Sequence, residues 1–240
     1  MTESTVGPLI ATGRSADIFD IGLGRVLRRY RDGRPAEWAS REAEVITHAR
    51  AHGVPVPEVF DVAGPDIVME RVTGRTMLDV LAARPWLLWS HVGLLARLHE
   101  QVHAVPPLPW LRAPFGTVPD PVLVHLDLHP LNVILTAAGP MLIDWEGAAQ
   151  GPPEADIAMT WVLMGFADIP GSRVQAAAGR LLQGLITRAF ARAAGGIGTE
   201  WRAAALRAKL SDPHMNDAEA ARMRRALGRL TGAAHQTAPG

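Results

Sequence analysis

Two polar strings set between apolar runs constrain this chain more than anything else in its sequence. The first is His125-Leu126-Asp127-Leu128-His129-Pro130-Leu131-Asn132, and Leu142-Ile143-Asp144-Trp145-Glu146 follows at short range. Val122-Leu123-Val124, Val133-Ile134-Leu135 and Met141-Leu142-Ile143 read as short strands around them, the last two parted by the turn Ala138-Gly139-Pro140. Such a pattern projects polar side chains from tight turns at the edge of a small sheet, where a cleft can form. An Asp, an Asn five residues on and a second Asp past a hairpin are what phosphoryl transfer from a metal nucleotide requires. Asp127 can accept the proton of an attacking hydroxyl, while Asn132 and Asp144 can hold Mg²⁺ against phosphate oxygens. Little covalent work is then left to the protein beyond positioning and electrostatics. Taken alone, His125, Asp127 and His129 alternate and could be ligands of a zinc hydrolase. Asn132 and Asp144 weigh against that reading, because zinc chemistry needs neither.

The first third of the chain carries strand signals. Leu9-Ile10-Ala11, Asp17-Ile18-Phe19-Asp20-Ile21 and Arg25-Val26-Leu27-Arg28 are parted by Gly13 and by Gly22-Leu23-Gly24, as hairpin turns would part them. A helix is predicted from Ala36 to His52 and is stopped by Gly53, Pro55 and Pro57. Two more strands follow, Val59–Val62 and Asp66–Met69, around Gly64-Pro65. Beyond a connection at Arg71–Gly74, helices dominate: Trp86–His103, Ala155–Met164, Arg173–Ala194, Glu200–Lys209 and Ala218–Leu230, with Thr231–Gly240 read as frayed. The tryptophans at 86, 89, 110 and 201 read as core or rim aromatics rather than a ligand cage.

Composition removes several function classes. The chain has 240 residues, 48% of them hydrophobic, and a formal net charge of zero, so no global field recruits nucleic acid or an anionic membrane. Without cysteine there are no disulfides, thiolate metal sites or Cys nucleophiles. Met1–Ile10 lacks the pattern of a signal peptide, and no apolar run reaches the ~20 residues that cross a bilayer. The expected location is cytoplasmic.

The first polar string resembles the catalytic motif of the aminoglycoside phosphotransferase family, usually His-Gly-Asp-hydrophobic-His-Pro-Gly-Asn followed by Ile-Asp-Trp/Phe. The resemblance implies Asp127 as catalytic base, Asn132 and Asp144 as magnesium ligands, and His125 as a support of the catalytic loop. Asp156 in Ala155-Asp156-Ile157-Ala158 matches the family's buried Asp that pins this loop from a following helix. Leu126 and Leu131 depart from the pattern by standing where glycine is common. Upstream, Gly22–Arg28 resembles the turn and strand that carry the phosphate-clamping cation, which puts Arg28 where lysine is usual. A register slip of one would put Arg29 there instead. Lys209 is the sole lysine and lies far outside this region. Arg41-Glu42-Ala43 matches the family's helix string and implies Glu42 as partner of Arg28, with Glu44 the competitor. The turn Thr12–Asp17, with Gly13 and Ser15, would cover the phosphates, and the hinge around Met69, Glu70 and Arg71 would bind the base. The similarity runs in order from about Ala11 to about Trp161.

The expected fold is α+β and protein-kinase-like: residues 1–72 as an N-terminal nucleotide-binding lobe with five strands and a helix, and residues 73–240 as a mostly helical catalytic and substrate-binding lobe. The expected activity is transfer of the γ-phosphate of ATP or GTP, with Mg²⁺, to a hydroxyl of a small molecule. From Arg173 onward the only acids are Glu200, Asp212, Asp217 and Glu219, and cations outnumber them. A polycationic acceptor finds few partners there, so an uncharged or anionic one is favoured. A protein kinase shares the machinery but normally carries Asp-Phe-Gly where this chain has Asp144-Trp145-Glu146. A non-catalytic nucleotide sensor is disfavoured by the presence of base, metal ligands, clamp and its partner together.

Overall fold

The structure, a computed structural model, describes residues 7–13, 15–31, 35, 37–168, 173–212 and 215–236. In chain order the strands are β1 (Leu9–Thr12), β2 (Ala16–Gly22), β3 (Arg25–Tyr30), β4 (Val59–Ala63), β5 (Asp66–Glu70), β6 (Arg75–Thr76), β7 (Val122–Val124), β8 (Val133–Thr136), β9 (Gly139–Leu142) and β10 (Ala149–Gly151). The helices are α1 (Glu37–Ala51), α2 (Met77–Ala83), α3 (Leu88–His103), α4 (Pro153–Phe166), α5 (Arg173–Ala193), α6 (Thr199–Leu210) and α7 (Asp217–Gln236).

The chain divides into two compact units, residues 1–79 with 131–148, and residues 80–130 with 149–240. The division falls elsewhere than the 72/73 boundary expected from the sequence. Compactness follows hydrogen bonding: β6 pairs with β8, which pairs with β9, and the Leu142 N–H reaches the Pro55 carbonyl at 2.7 Å. The hairpin of the second polar string therefore belongs with the N-terminal strands.

In the first unit a five-stranded antiparallel sheet runs in the order β1-β2-β3-β5-β4. The turn at Gly22–Gly24 holds three residues at positive φ, including Leu23, and lets β2 fold back on β3. Helix α1 buries Ala39, Ala43, Val45, Ile46 and Ala49 on one face. Glu37 in its first turn and His48 and Arg50 in its last oppose the helix dipole. Val26, Leu27, Ile67, Leu142 and Trp145 are also buried in this unit.

The second unit is helical apart from β7 paired with β10. Leu95, Leu98 and Val102 of α3 are buried in it with Leu123, Leu128 and Phe190, and Ala158, Val162, Leu206 and Met223 belong to one packed cluster. Pro153 sits in the first turn of α4, where its missing N–H costs nothing.

Several expectations are corrected. The first turn of the Trp86–His103 stretch is a 3-10 turn, Pro85–Leu87. Of the core or rim placements expected for the tryptophans, only the rim fits Trp86 and Trp89, which are 73% and 69% exposed, whereas Trp145 is fully buried. Helix α7 continues to Gln236 through the segment read as frayed, and 237–240 lie outside the described residues. Among the described residues no helix is long and apolar enough to cross a membrane.

Candidate active site

The first unit encloses a cavity of about 550 Å³ whose wall includes Gly13, Arg28, Glu42, Asn132 and Asp144. Arg28 lies on β3 opposite Ile18 and Ile67, at the centre of the five-stranded sheet. Its Nε donates to Glu42 Oε2 at 2.8 Å, and its Nη2 donates to Asp144 Oδ1 at 3.2 Å. Arg29 points to the other face, as strand alternation demands, and pairs with Asp66 at 2.6 Å. Glu44 is exposed while Glu42 is buried, since the two lie on different faces of α1.

Glu42 accepts three donors: Arg28, the Tyr30 hydroxyl at 2.6 Å and the Trp145 N–H at 3.2 Å. Burial pushes its carboxyl up, against Arg28 and Tyr30, which favour the charge. Burial likewise works against the Arg28 guanidinium, but Glu42 and Asp144 outweigh it and hold the group above its ordinary range. Arg28 is thus a permanent, partly buried cation at the cavity wall, held from one side and offering its fork to the other. Asp144 adopts φ 66, a left-handed conformation that Asp tolerates, and its side chain stays 41% exposed.

Two neighbours carry no role in the motif reading. Tyr30 follows Arg28 by two along the strand and so shares its face. Glu146 accepts from the Ser15 hydroxyl and lies 3.8 Å from Arg28. Ser15 is buried in the turn closed by the Gly13 N–H donating to the Ala16 carbonyl at 2.8 Å, and Arg14 of that turn lies outside the described residues.

Met69, Glu70 and Arg71 also line the cavity. The Glu70 N–H is given to the Glu58 carbonyl and the Arg71 N–H to the Gly24 carbonyl, both at 2.8 Å. These two donors are therefore engaged, and the Arg71 guanidinium is paired with Asp20. Gly74 admits no side chain, because a Cβ there would collide with the Leu135 carbonyl oxygen.

Asp127, His125 and Asp156 belong to the second unit. His125 is fully buried, and its Nδ1 receives the Asp127 N–H at 3.3 Å. Asp156 accepts the backbone N–H groups of His125 at 3.2 Å and Leu126 at 2.7 Å, and His103 Nε2 lies 2.9 Å from its Oδ2. Burial alone would raise the Asp156 carboxyl; the His103 hydrogen bond and the imidazoles of His99, His103 and His125 hold it well below the usual carboxylate range. Leu126 has φ 62, which accounts for the glycine common at this position in the family motif. Its side chain packs against the cluster formed by α4, α6 and α7. Asp127 keeps its side chain 38% exposed, with His129 Nε2 3.7 Å away. Among the described residues no group of three or more His, Asp or Glu is disposed to hold a metal.

The model of the phosphotransferase enzyme family, APH, matches residues 7–118 and 107–195. A probable serine/threonine-protein kinase BUD32 homolog of Archaeoglobus fulgidus is 32% identical over 105 residues, 43% of this chain and 42% of that protein. Thiamine kinase of Salmonella paratyphi B is 46% identical over 39 residues, 16% of this chain and 14% of that enzyme. These matches span less than half of either curated relative. Among solved structures, a thermostable mutant of aminoglycoside phosphotransferase APH(4)-Ia, in a ternary complex with AMP-PNP and hygromycin B, superposes with a TM-score of 0.68. That superposition covers 98% of this chain and 97% of the other at 16% identity, which speaks to the fold alone. With most of its length matched by the family model, the chain belongs to the phosphotransferase enzyme family.

Proposed function

We propose that the protein transfers the γ-phosphate of ATP or GTP to a hydroxyl group of a small molecule. The observation that carries this reading is the buried Arg28–Glu42 pair on the wall of a cavity that also presents Asp144 and Asn132. A cation held from behind by a carboxylate can grip phosphate oxygens in front. The base of the nucleotide would sit against Met69, with the Glu70 carbonyl and the Val72 N–H reading its edge, since the N–H groups of Glu70 and Arg71 are spent. Residues 1–72 would form most of the nucleotide-binding lobe, and residues 73–240 would supply the catalytic loop and the acceptor site.

Asn132 and Asp144 suit Mg²⁺, because both offer hard oxygen donors and this ion at nucleotide sites takes one or two protein ligands besides phosphates. When bound it would neutralise charge on the phosphate oxygens. In the transfer, the acceptor oxygen gives its proton to Asp127 and forms a bond to the γ-phosphorus. The bond from that phosphorus to the bridging oxygen breaks, and its electron pair leaves on the nucleoside diphosphate. His125 and Asp156 hold the loop that carries Asp127.

The net basic segment after Arg173 supports an uncharged or anionic acceptor over a polycation. The archaeal kinase match favours a second reading, transfer to a protein hydroxyl, although Asp144-Trp145-Glu146 replaces the Asp-Phe-Gly usual there. Mass spectrometry of sugars, amino alcohols, macrolides, aminoglycosides and a generic peptide, each incubated with Mg-ATP or Mg-GTP, separates these outcomes. Phosphate on a small hydroxyl compound supports the proposal. Phosphate on the peptide alone favours the second reading, and nucleotide binding without any transfer contradicts both.

A further inference from the structure

Helices α3 and α4 meet through two rungs of polar side chains. His99 and His103 lie one turn apart on α3, and Asp156 and Thr160 one turn apart on α4, so each pair shares a face. His103 Nε2 is 2.9 Å from Asp156 Oδ2, and His99 Nε2 is 2.9 Å from Thr160 Oγ1. His99, Asp156 and Thr160 are buried, and the His103 side chain is 9% exposed. Apolar contacts alone could join two helices at lower cost, since each buried polar group must recover its lost hydration.

Both rungs end on the same loop. Asp156 takes the N–H groups of His125 and Leu126, and the Thr160 hydroxyl donates to the Leu128 carbonyl at 2.7 Å. The main chain is therefore gripped on both sides of Asp127. His99 Nδ1 gives its hydrogen to the Leu95 carbonyl at 2.9 Å, so the neutral ring has none left on Nε2, and the one hydroxyl hydrogen of Thr160 is shared between the Leu128 carbonyl and His99 Nε2. Thr160 thus stands between α3 and the loop. Leu126, at φ 62, is a conformation that persists only when its surroundings over-determine it.

We propose that His99, His103 and Thr160 are positioning residues which, with Asp156, fix the backbone on either side of Asp127 and so aim its carboxylate at the acceptor hydroxyl. This rests on Asp127 being the base. Thr160 gives the sharpest test, because valine keeps its shape without the hydroxyl and serine keeps the hydroxyl without the methyl. Two quantities are read on the full chain: amide hydrogen exchange in peptides spanning 125–128, and phosphate transfer from Mg-ATP, to water where no acceptor is supplied. Thr160→Val is expected to speed exchange in the loop and to lower turnover about tenfold, the worth of one hydrogen bond, with the nucleotide KM unchanged. Thr160→Ser is expected to restore both. Wild-type exchange or turnover in Thr160→Val overturns the proposal, as does Thr160→Ser being equally impaired, which a packing role predicts. His103→Gln, expected to speed exchange of the same amides, is a second arm, and wild-type exchange there removes His103 from the ladder. Asp127→Asn turning over at the wild-type rate would instead overturn the base reading, while exchange still reports whether the ladder holds the loop.

Discussion

The Arg28 cavity and the loop that carries Asp127 are each organised around a buried carboxylate, yet the two carboxylates hold different things. Glu42 holds a side chain, the Arg28 guanidinium, which also reaches Asp144 and can re-aim at a ligand without disturbing the strand beneath it. Asp156 holds backbone, two consecutive N–H groups that have no second position to adopt. An exchangeable clamp and a fixed brace follow from that difference. Loss of the first should appear in ligand binding, and loss of the second in stability and turnover.

The largest expected effect is on the brace. Asp156→Ala removes the acceptor of two buried N–H groups and the partner of His103, and should cost about 3–5 kcal/mol in urea denaturation. A loss below about 1 kcal/mol would mean the loop does not depend on Asp156, and the contrast would fail.

Acid should act on the same region. Burial pushes His99 down to about 4, with Asp156 opposing and His103 and His125 adding to the depression. Between that value and the ~6.5 of an unfolded histidine, the unfolded chain binds more protons than the native one. Stability should therefore rise with pH through this window and fall on acidification through it, by up to about 3 kcal/mol. Asp156 is held low, so its contribution is present above the unfolded value of ~3.9 and goes only as pH falls further. Thermal melts from pH 7 to 4.5 should show a falling Tm, and His99→Gln should flatten that slope. An unchanged slope in His99→Gln would assign the acid sensitivity elsewhere.

The clamp should respond more gently and in binding. Glu42→Gln keeps the shape but removes the charge behind Arg28, and should weaken Mg-nucleotide binding about tenfold by calorimetry. Arg29→Ala, on the opposite face and paired with Asp66 near the surface, should leave nucleotide affinity unchanged and cost less than about 1 kcal/mol of stability. Equal losses in the two variants would erase the distinction between Arg28 and Arg29.

Much of this was legible in the sequence because it is local. The glycine turns and alternating runs mark the five strands, and Arg28 and Glu42 fall on the buried faces that strand and helix periodicity assign. Asp127, Asn132 and Asp144 could be singled out as candidates from spacing and chemistry, and the structure puts Asn132 and Asp144 on the wall of one cavity. The ladder was not, because two pairs of residues four apart on separate helices carry no sign in the sequence that they face each other. Nor was the membership of β8 and β9 in the first unit, which rests on pairing with β6 across a long stretch of chain. The spent N–H groups of Glu70 and Arg71 depend on partners in the Gly22–Gly24 turn and before β4, which strand propensity does not report. Composition likewise left Trp86 and Trp89 as core or rim, and only their exposure in the fold decides for the rim.

The role of Asp127 as base is tested by comparing Asp127→Asn with the wild type, measuring Mg-nucleotide affinity by calorimetry and phosphate transfer to an acceptor by mass spectrometry on the same preparations. Asparagine keeps the shape of the side chain but cannot take up the proton. Nucleotide binding should stay near normal while transfer slows by roughly 10²–10⁴-fold, the range of general-base catalysis. Transfer at the wild-type rate would contradict that role.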